Sequence, residues 1–257
     1  MAALPSIRRE GAGLMDPTIW SVQARNLPEH ASNPIHTDEG GRAAGFDAAL
    51  VAGVTVYAYL TRPIVEAWGP GWLADGGALV EFLAPVQARD LLDCVPEAPT
   101  EAGSVEVMAL VDGESRARCT AWPGPPDVAG RDRPQDERLE PHVEPLIGGW
   151  ADYGLRAGDD LDLYAEAGIV HPAVWPALAN GVVTRHLVDG AWIHTRSRIR
   201  HHGVARVGAV ATVQATVVDR FDTRSGTRAV LDVTISADGS LVATIEHEAI
   251  VELHPTG

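Results

Sequence analysis

The stretch richest in potential chemistry is Ser32-Asn33-Pro34-Ile35-His36-Thr37-Asp38, followed by Ala43-Ala44-Gly45-Phe46 and Val51-Ala52-Gly53-Val54. Pro34 fixes its own φ and drives Asn33 into an extended conformation, so the chain cannot be helical at Asn33. His36 is therefore presented from a stiff loop, just ahead of a short helix that Thr37 or Asp38 can cap. An imidazole in that setting suits proton transfer near neutral pH. Gly53 opens the next helix. The plainer readings are a loop histidine that satisfies backbone groups and a glycine that permits close helix–sheet contact.

These residues need elements to hold them. Residues 1–17 read as a lead-in, Thr18 to Arg25 as a short strand, and Asp38 to Ala44 as a short helix ended by Gly45. From Gly53 to Trp68 apolar residues recur at three- and four-residue steps, which predicts a buried helix with Tyr57 and Tyr59 in the core. Pro63 falls inside it and is expected to kink or divide it, and Gly69-Pro70-Gly71 to end it. The period then changes to two. Ala78–Leu83, Asp90–Val95, Val105–Val111 and Arg116–Trp122 read as strands, with Asp112-Gly113 as a hairpin turn. Residues 123–148, rich in Pro, Asp and Arg, read as a surface linker.

The second half repeats this order. His171-Pro172 opens a helical pattern that Gly190 closes. Strands follow at Trp192–His201, Ala209–Val218, Ala229–Ile235 and Val242–Val251, with a turn at Asp238-Gly239. Three units are expected: an N-terminal one over 1–122, the linker over 123–148, and a C-terminal one over 149–257. Laid on each other, Asn33-Pro34 matches His171-Pro172, which gives His171 a capping role. Strict alternation along 192–200 places His194 with Arg196, Arg198 and Arg200, and Ile193, Thr195, Ser197 and Ile199 on the opposite face. The arginine stripe is most simply a solvated sheet face; its functional alternative is a clamp for a phosphate. His201-His202 and His247 lack a metal-like partner set, so neither a metal nor a cofactor is expected.

Composition narrows the partners. The 257 residues are 46% hydrophobic and 21% charged, which is ordinary for a globular protein with a large core. The net charge of −15 argues against binding nucleic acid or an anionic membrane. All 20 basic residues are arginine, a bias to which no mechanism attaches. Cys94 and Cys119 are the two cysteines, a usage that fits a reducing compartment. No signal peptide or bilayer-spanning run is evident, and a cytoplasmic location is expected.

With Phe82 and Pro85-Val86 on the strand after the helix, the Asn33-Pro34-Ile35-His36 stretch resembles the MaoC-like, (R)-specific enoyl-CoA hydratase and dehydratase family in its tandem form. Ala191-Trp192-Ile193-His194 and Ile245-Glu246-His247 look like the C-terminal copy. The resemblance implies an α+β double hotdog, two long helices each wrapped by antiparallel sheet. It also implies a hydro-lyase acting on an enoyl or 3-hydroxyacyl thioester of coenzyme A or an acyl carrier. Carried over, His36 takes the imidazole role, Asn33 shapes the loop and Gly53 contacts the thioester oxygen. The family's aspartate position, five residues before His36, is Ala31, and Glu29, His30 and Asp38 are the neighbours that could substitute for it. In the second copy Ile169 and Val174 stand at the corresponding acid and histidine positions. The alternatives are a non-catalytic acyl-thioester binding protein or partner subunit and, third, a hotdog thioesterase, for which Glu66 lies too near the helix end. A monomer or a homodimer is compatible with a tandem fold.

Overall fold

The computed structural model describes residues 15–124 and 137–254. The N-terminal elements are β1 (Trp20–Gln23), α1 (Asp38–Ala43), α2 (Gly53–Trp68), α3 (Pro70–Asp75), β2 (Gly77–Phe82), β3 (Leu91–Pro96), β4 (Val105–Val111) and β5 (Glu114–Trp122). Then come β6 (Glu137–Arg138), β7 (His142–Pro145), α4 (Tyr153–Ala157), α5 (Leu163–Ala167) and α6 (Val174–His186). β8 (Ile193–His201), β9 (Val210–Thr223), β10 (Gly226–Ala237) and β11 (Ser240–Leu253) complete the chain. The strands form one antiparallel sheet in the order β1-β3-β4-β5-β2-β8-β11-β10-β9-β6, with β7 also on β9. The order reads alike outward from its centre. β2 pairs with β8 through Gly77↔Arg200 to Glu81↔Arg196, and each half then wraps its own helix.

The apolar spacing along 53–68 explains why α2 is the axis of the first half. Tyr57, Tyr59, Leu60 and Ile64 are fully buried, and each such side chain contributes about 1.5–3 kcal/mol by leaving water. The helix runs through Pro63 to Trp68 without dividing, and ends at Gly69, whose φ of +68° suits glycine. The helix ends at Gly69-Pro70 as expected, and Pro70 also starts a new one, α3, where a missing N–H costs nothing. At the hairpin, Asp112 and Gly113 both have positive φ (52° and 80°), the backbone that a two-residue turn demands.

The expected linker is more structured than its composition suggests. Residues 125–136 lie outside the described residues, but Glu137–Arg138 and His142–Pro145 hydrogen-bond along β9. Leu139 and Leu146 between and after them are buried and anchor the stretch. The two halves also register differently from the sequence expectation. A bridge joins Leu50 to Gln87 and its counterpart joins Ile169 to Arg206. Val51 N–H donates to Val86 at 2.8 Å, as Val170 N–H donates to Ala205 at 3.0 Å. His171 thus corresponds to Ala52, not to Asn33, and Ile169 and Val174 are not the second copy's acid and histidine positions. The reason is local: α4 and α5 occupy the lead-in that weak internal identity concealed. His171 is nonetheless a cap, since its Nδ1 accepts from the Ala173 N–H at 3.1 Å. Among the described residues no helix is long and apolar enough to cross a membrane.

Candidate active site

Asn33 and Pro34 build the loop as their types require. Asn33 is extended (φ −91°, ψ 114°) and its Oδ1 accepts from the Ile35 N–H at 3.3 Å, opening a turn of 3-10 helix over Pro34–His36. Its Nδ2 donates to the Trp192 carbonyl at 2.9 Å, across to the other half. His36 follows, half-buried, with Nδ1 at 2.8 Å from the Leu50 carbonyl. A carbonyl can only accept, so Nδ1 carries the proton and Nε2 keeps a lone pair. Nε2 has no hydrogen-bond partner among the described residues. Burial lowers the His36 pKa from the ordinary histidine value, with the Leu50 carbonyl opposing, so the ring is a neutral base at pH 7.

None of the three neighbours expected to stand in for the missing aspartate pairs with His36. Glu29 is bound to Arg156 of α4. Asp38 is exposed, and its Oδ1 accepts from the Ala49 N–H at 3.1 Å. His30 comes nearest, with ring centroids 6.1 Å apart, but its Nε2 bonds the Tyr153 hydroxyl at 2.8 Å. That hydroxyl in turn bonds Thr55 Oγ1 at 2.9 Å. Burial, and then the adjacent His36, pulls the His30 pKa down to about 3, so it is a neutral structural partner at working pH. Glu66 is spent on Arg62 one turn before it on α2.

Two cavities meet at His36. The first, about 280 Å³, is mostly apolar: Ile35, Phe46, Leu50, Val56, Phe82 and Ile250 are among its lining residues, with Gly53 at the start of α2. The Gly53 N–H, like other first-turn donors, has no acceptor within its helix. A Cβ there would meet the Phe82 ring at 3.0 Å, so glycine is what lets ring and helix end approach. The second cavity, about 270 Å³, is more polar than the first and includes Glu29, His30, His142, Glu144 and Thr184 in its wall. Asn33, His36, Asn180 and Trp192 line both. Gly53, Asn33 and His36 are therefore brought together, whereas Asp38, Arg196, Arg198 and Arg200 line neither cavity.

The arginine stripe takes the solvated sheet face expected of it, but His194 does not share that face. A bulge at Thr195, where the pairing steps from Glu248↔Arg196 to Ala249↔His194, reverses the parity of β8. His194 thereby joins Ser197, Ile199 and His201 on the buried face, opposite the arginines. Arg196 pairs with Glu246 at 2.9 Å and Glu248 at 3.3 Å, Arg198 lies over the Trp122 ring, and Arg200 is exposed. His194 lines the apolar cavity against Phe82, and Ser197 bridges it to His247 by bonds of 2.8 and 2.9 Å. Asn180 also went unnoticed in the sequence. The signal was there, as one amide among the apolar residues Ala177, Leu178, Ala179, Val182 and Val183 of a buried helix.

No known protein family matches the sequence, and no curated protein matches it. Solved structures do match its fold. A double-hotdog protein from Mycobacterium tuberculosis superposes with a TM-score of 0.64 at 11% identity, covering 92% of this chain and 96% of that one. A putative MaoC domain protein dehydratase from Chloroflexus aurantiacus gives 0.61 at 10%, covering 99% and 100%. A putative oleoyl thioesterase from Lactobacillus plantarum gives 0.57 at 10%, covering 94% and 98%. With both halves, the shared sheet and the two enclosed helices in place, the chain is a double hotdog.

Proposed function

We propose that the chain acts on an acyl thioester held in the apolar cavity, as a hydro-lyase that adds water to an enoyl thioester or removes it from a 3-hydroxyacyl one. The observation that carries this is the 2.8 Å bond from His36 Nδ1 to the Leu50 carbonyl, which leaves Nε2 as an unpaired base beside the Gly53 helix start. A dehydratase and a thioesterase both share the fold, and the MaoC-like resemblance around His36 favours the former. In the hydration direction His36 Nε2 takes a proton from water as the water oxygen bonds to C3. The C2–C3 π electrons move to the thioester oxygen, where the Gly53 N–H stabilises the enolate. The same proton then passes from the imidazolium to C2 as the carbonyl re-forms. One base suffices because the proton is returned.

Purified protein incubated with crotonyl-CoA and longer enoyl-CoAs is expected to consume the enoyl absorbance, and His36→Ala to lose that activity. A flat trace from the unmodified protein at every chain length rejects the reading. A second reading has its own support: no carboxylate bonds His36 among the described residues, since Glu29 and Asp38 are engaged elsewhere. That favours a binding protein, which acyl-CoA would stabilise against heat without turnover and regardless of His36→Ala. Release of free coenzyme A would instead indicate a thioesterase.

A further inference from the structure

The cavity behind His36 is lined by polar atoms that the protein leaves unsatisfied. Asn180 is about nine-tenths buried, and its Oδ1 has no partner among the described residues. The same is true of the Trp192 indole N–H and of both nitrogens of the half-buried His142. Burying such a group without a partner is unfavourable, so several around one chamber of this size point to a polar occupant. The chamber, about 270 Å³, exceeds the roughly 30 Å³ that one water takes up.

Helix geometry says why Asn180 lies on the chamber side of its helix, in a wall that also includes His36. Ala177 of α6 packs with Ala52 and Val54 at the start of α2. Asn180, Gly181 and Thr184 follow at helical steps of three, four and seven, and so share that face. All four line the chamber, and Asn180 also reaches the apolar cavity. His36, Asn33, Asn180 and Trp192 thus form the wall between a chamber suited to water and a cleft suited to an acyl chain.

We infer that Asn180, supported by the Trp192 N–H, holds the reactive water against His36 Nε2 and does the orienting work that an aspartate at Ala31 would do. This rests on the hydro-lyase reading of the cleft. The carboxamide oxygen accepts one water hydrogen, the His36 lone pair takes the other, and the water oxygen is left aimed at C3 across the wall. Asn180 neither gains nor loses a proton; the one that His36 takes returns to C2. The active site is then composite, its base from the N-terminal half and its water from the helix of the C-terminal half.

The test compares the unmodified protein with Asn180→Leu and Asn180→Asp, after thermal unfolding shows that each folds; Asn180→Ser replaces the leucine variant if it does not. The first readout needs no substrate, namely the 15N resonance of His36 Nε2 in water. It is expected to move in Asn180→Leu, as the bound water is lost, and an unmoved resonance overturns the inference. The second is enoyl-CoA hydration. Asn180→Leu is expected to lower kcat about a hundredfold with KM nearly unchanged, and Asn180→Asp, which keeps an oxygen acceptor, to recover most of the loss. Turnover by Asn180→Leu at the original rate overturns the inference as well. If the unmodified protein hydrates nothing but the resonance still moves, the hydro-lyase reading falls and the water site stands.

Discussion

The Asn33 carboxamide donates to the Trp192 carbonyl at 2.9 Å, 159 residues away in sequence, while its oxygen holds the Ile35 N–H. One buried side chain thus shapes the His36 loop and fastens it to the other half. Asn33→Ala strips both contacts and leaves buried backbone groups unpaired, a loss of about 1–3 kcal/mol for such a group. The midpoint of urea unfolding is expected to fall accordingly. Asn33→Asp, which sets a buried carboxylate oxygen against the Trp192 carbonyl, is expected to lower the midpoint at least as far. An unchanged midpoint in Asn33→Ala would show that the tie is idle.

Gly53 is constrained by Phe82, whose ring atoms would lie 3.0–3.2 Å from an added Cβ. Gly53→Ala therefore pushes the ring toward His194, 4.7 Å away between centroids, and narrows the apolar cavity. Global stability is expected to change by less than about 1 kcal/mol, because a better helix former offsets the crowding. Acyl-CoA affinity is expected to drop about tenfold, for roughly 1.4 kcal/mol of misfit. Phe82→Leu in the same chain makes room again, and calorimetry should show affinity regained. No recovery would place the effect in the Gly53 backbone rather than in the ring.

Much of this was legible because periodicity is local. The repeat of apolar residues along α2 and the positive-φ turns at Asp112-Gly113 and Asp238-Gly239 lie within a few residues of their causes. The Asn33-Pro34 loop was readable for the same reason. What escaped depends on pairing across the sheet. Nothing in 192–200 announces the bulge at Thr195, which only the register against Glu248 and Ala249 reveals. One extra residue there moved His194 off the arginines' face and into the cleft wall, while Arg196 keeps its expected outward place against Glu246. The equivalence of His171 to Ala52 was hidden likewise, because two short helices, α4 and α5, precede α6 where α1 alone precedes α2 among the described residues. Asn180 was visible as a lone amide on a buried helix, but only the packing of Ala177 on Ala52 and Val54 says what it faces.

The engaged carboxylates predict what their removal does. Glu29→Gln breaks the pair with Arg156 and is expected to cost about 1 kcal/mol of stability, with enoyl hydration nearly unchanged. Asp38→Asn is expected to behave similarly in rate, since its oxygen serves the Ala49 N–H. A loss above about tenfold in either would identify that residue as an acid after all. The pH profile is a parallel check. His36 acts as a base with a lowered pKa, so kcat/KM is expected to decline only as pH falls below 6.5. A limb centred above pH 7 would assign the base to another group.

His201 offers the sharpest test of buried imidazoles. It is 1% exposed, packs edge-on against Trp72 at 4.9 Å, and neither ring nitrogen has a partner among the described residues. Burial, then the neighbouring His202, lowers its pKa to about 3 from 6.5. Between those values the unfolded chain binds a proton that the folded chain refuses. Folding stability is therefore intact above pH 6.5 and falls as pH drops toward 3, by about 1.4 kcal/mol per pH unit for this one group. His201→Phe keeps the ring contact with Trp72 and removes both the unsatisfied nitrogens and the titration. Near pH 7.5 it is expected to match or slightly exceed the original stability. At pH 5 it should be more stable by about 2 kcal/mol, one and a half units of that slope. Urea unfolding at the two pH values measures the difference directly. An equal effect at both would mean that His201 contributes through packing alone and that its ring reaches solvent when protonated.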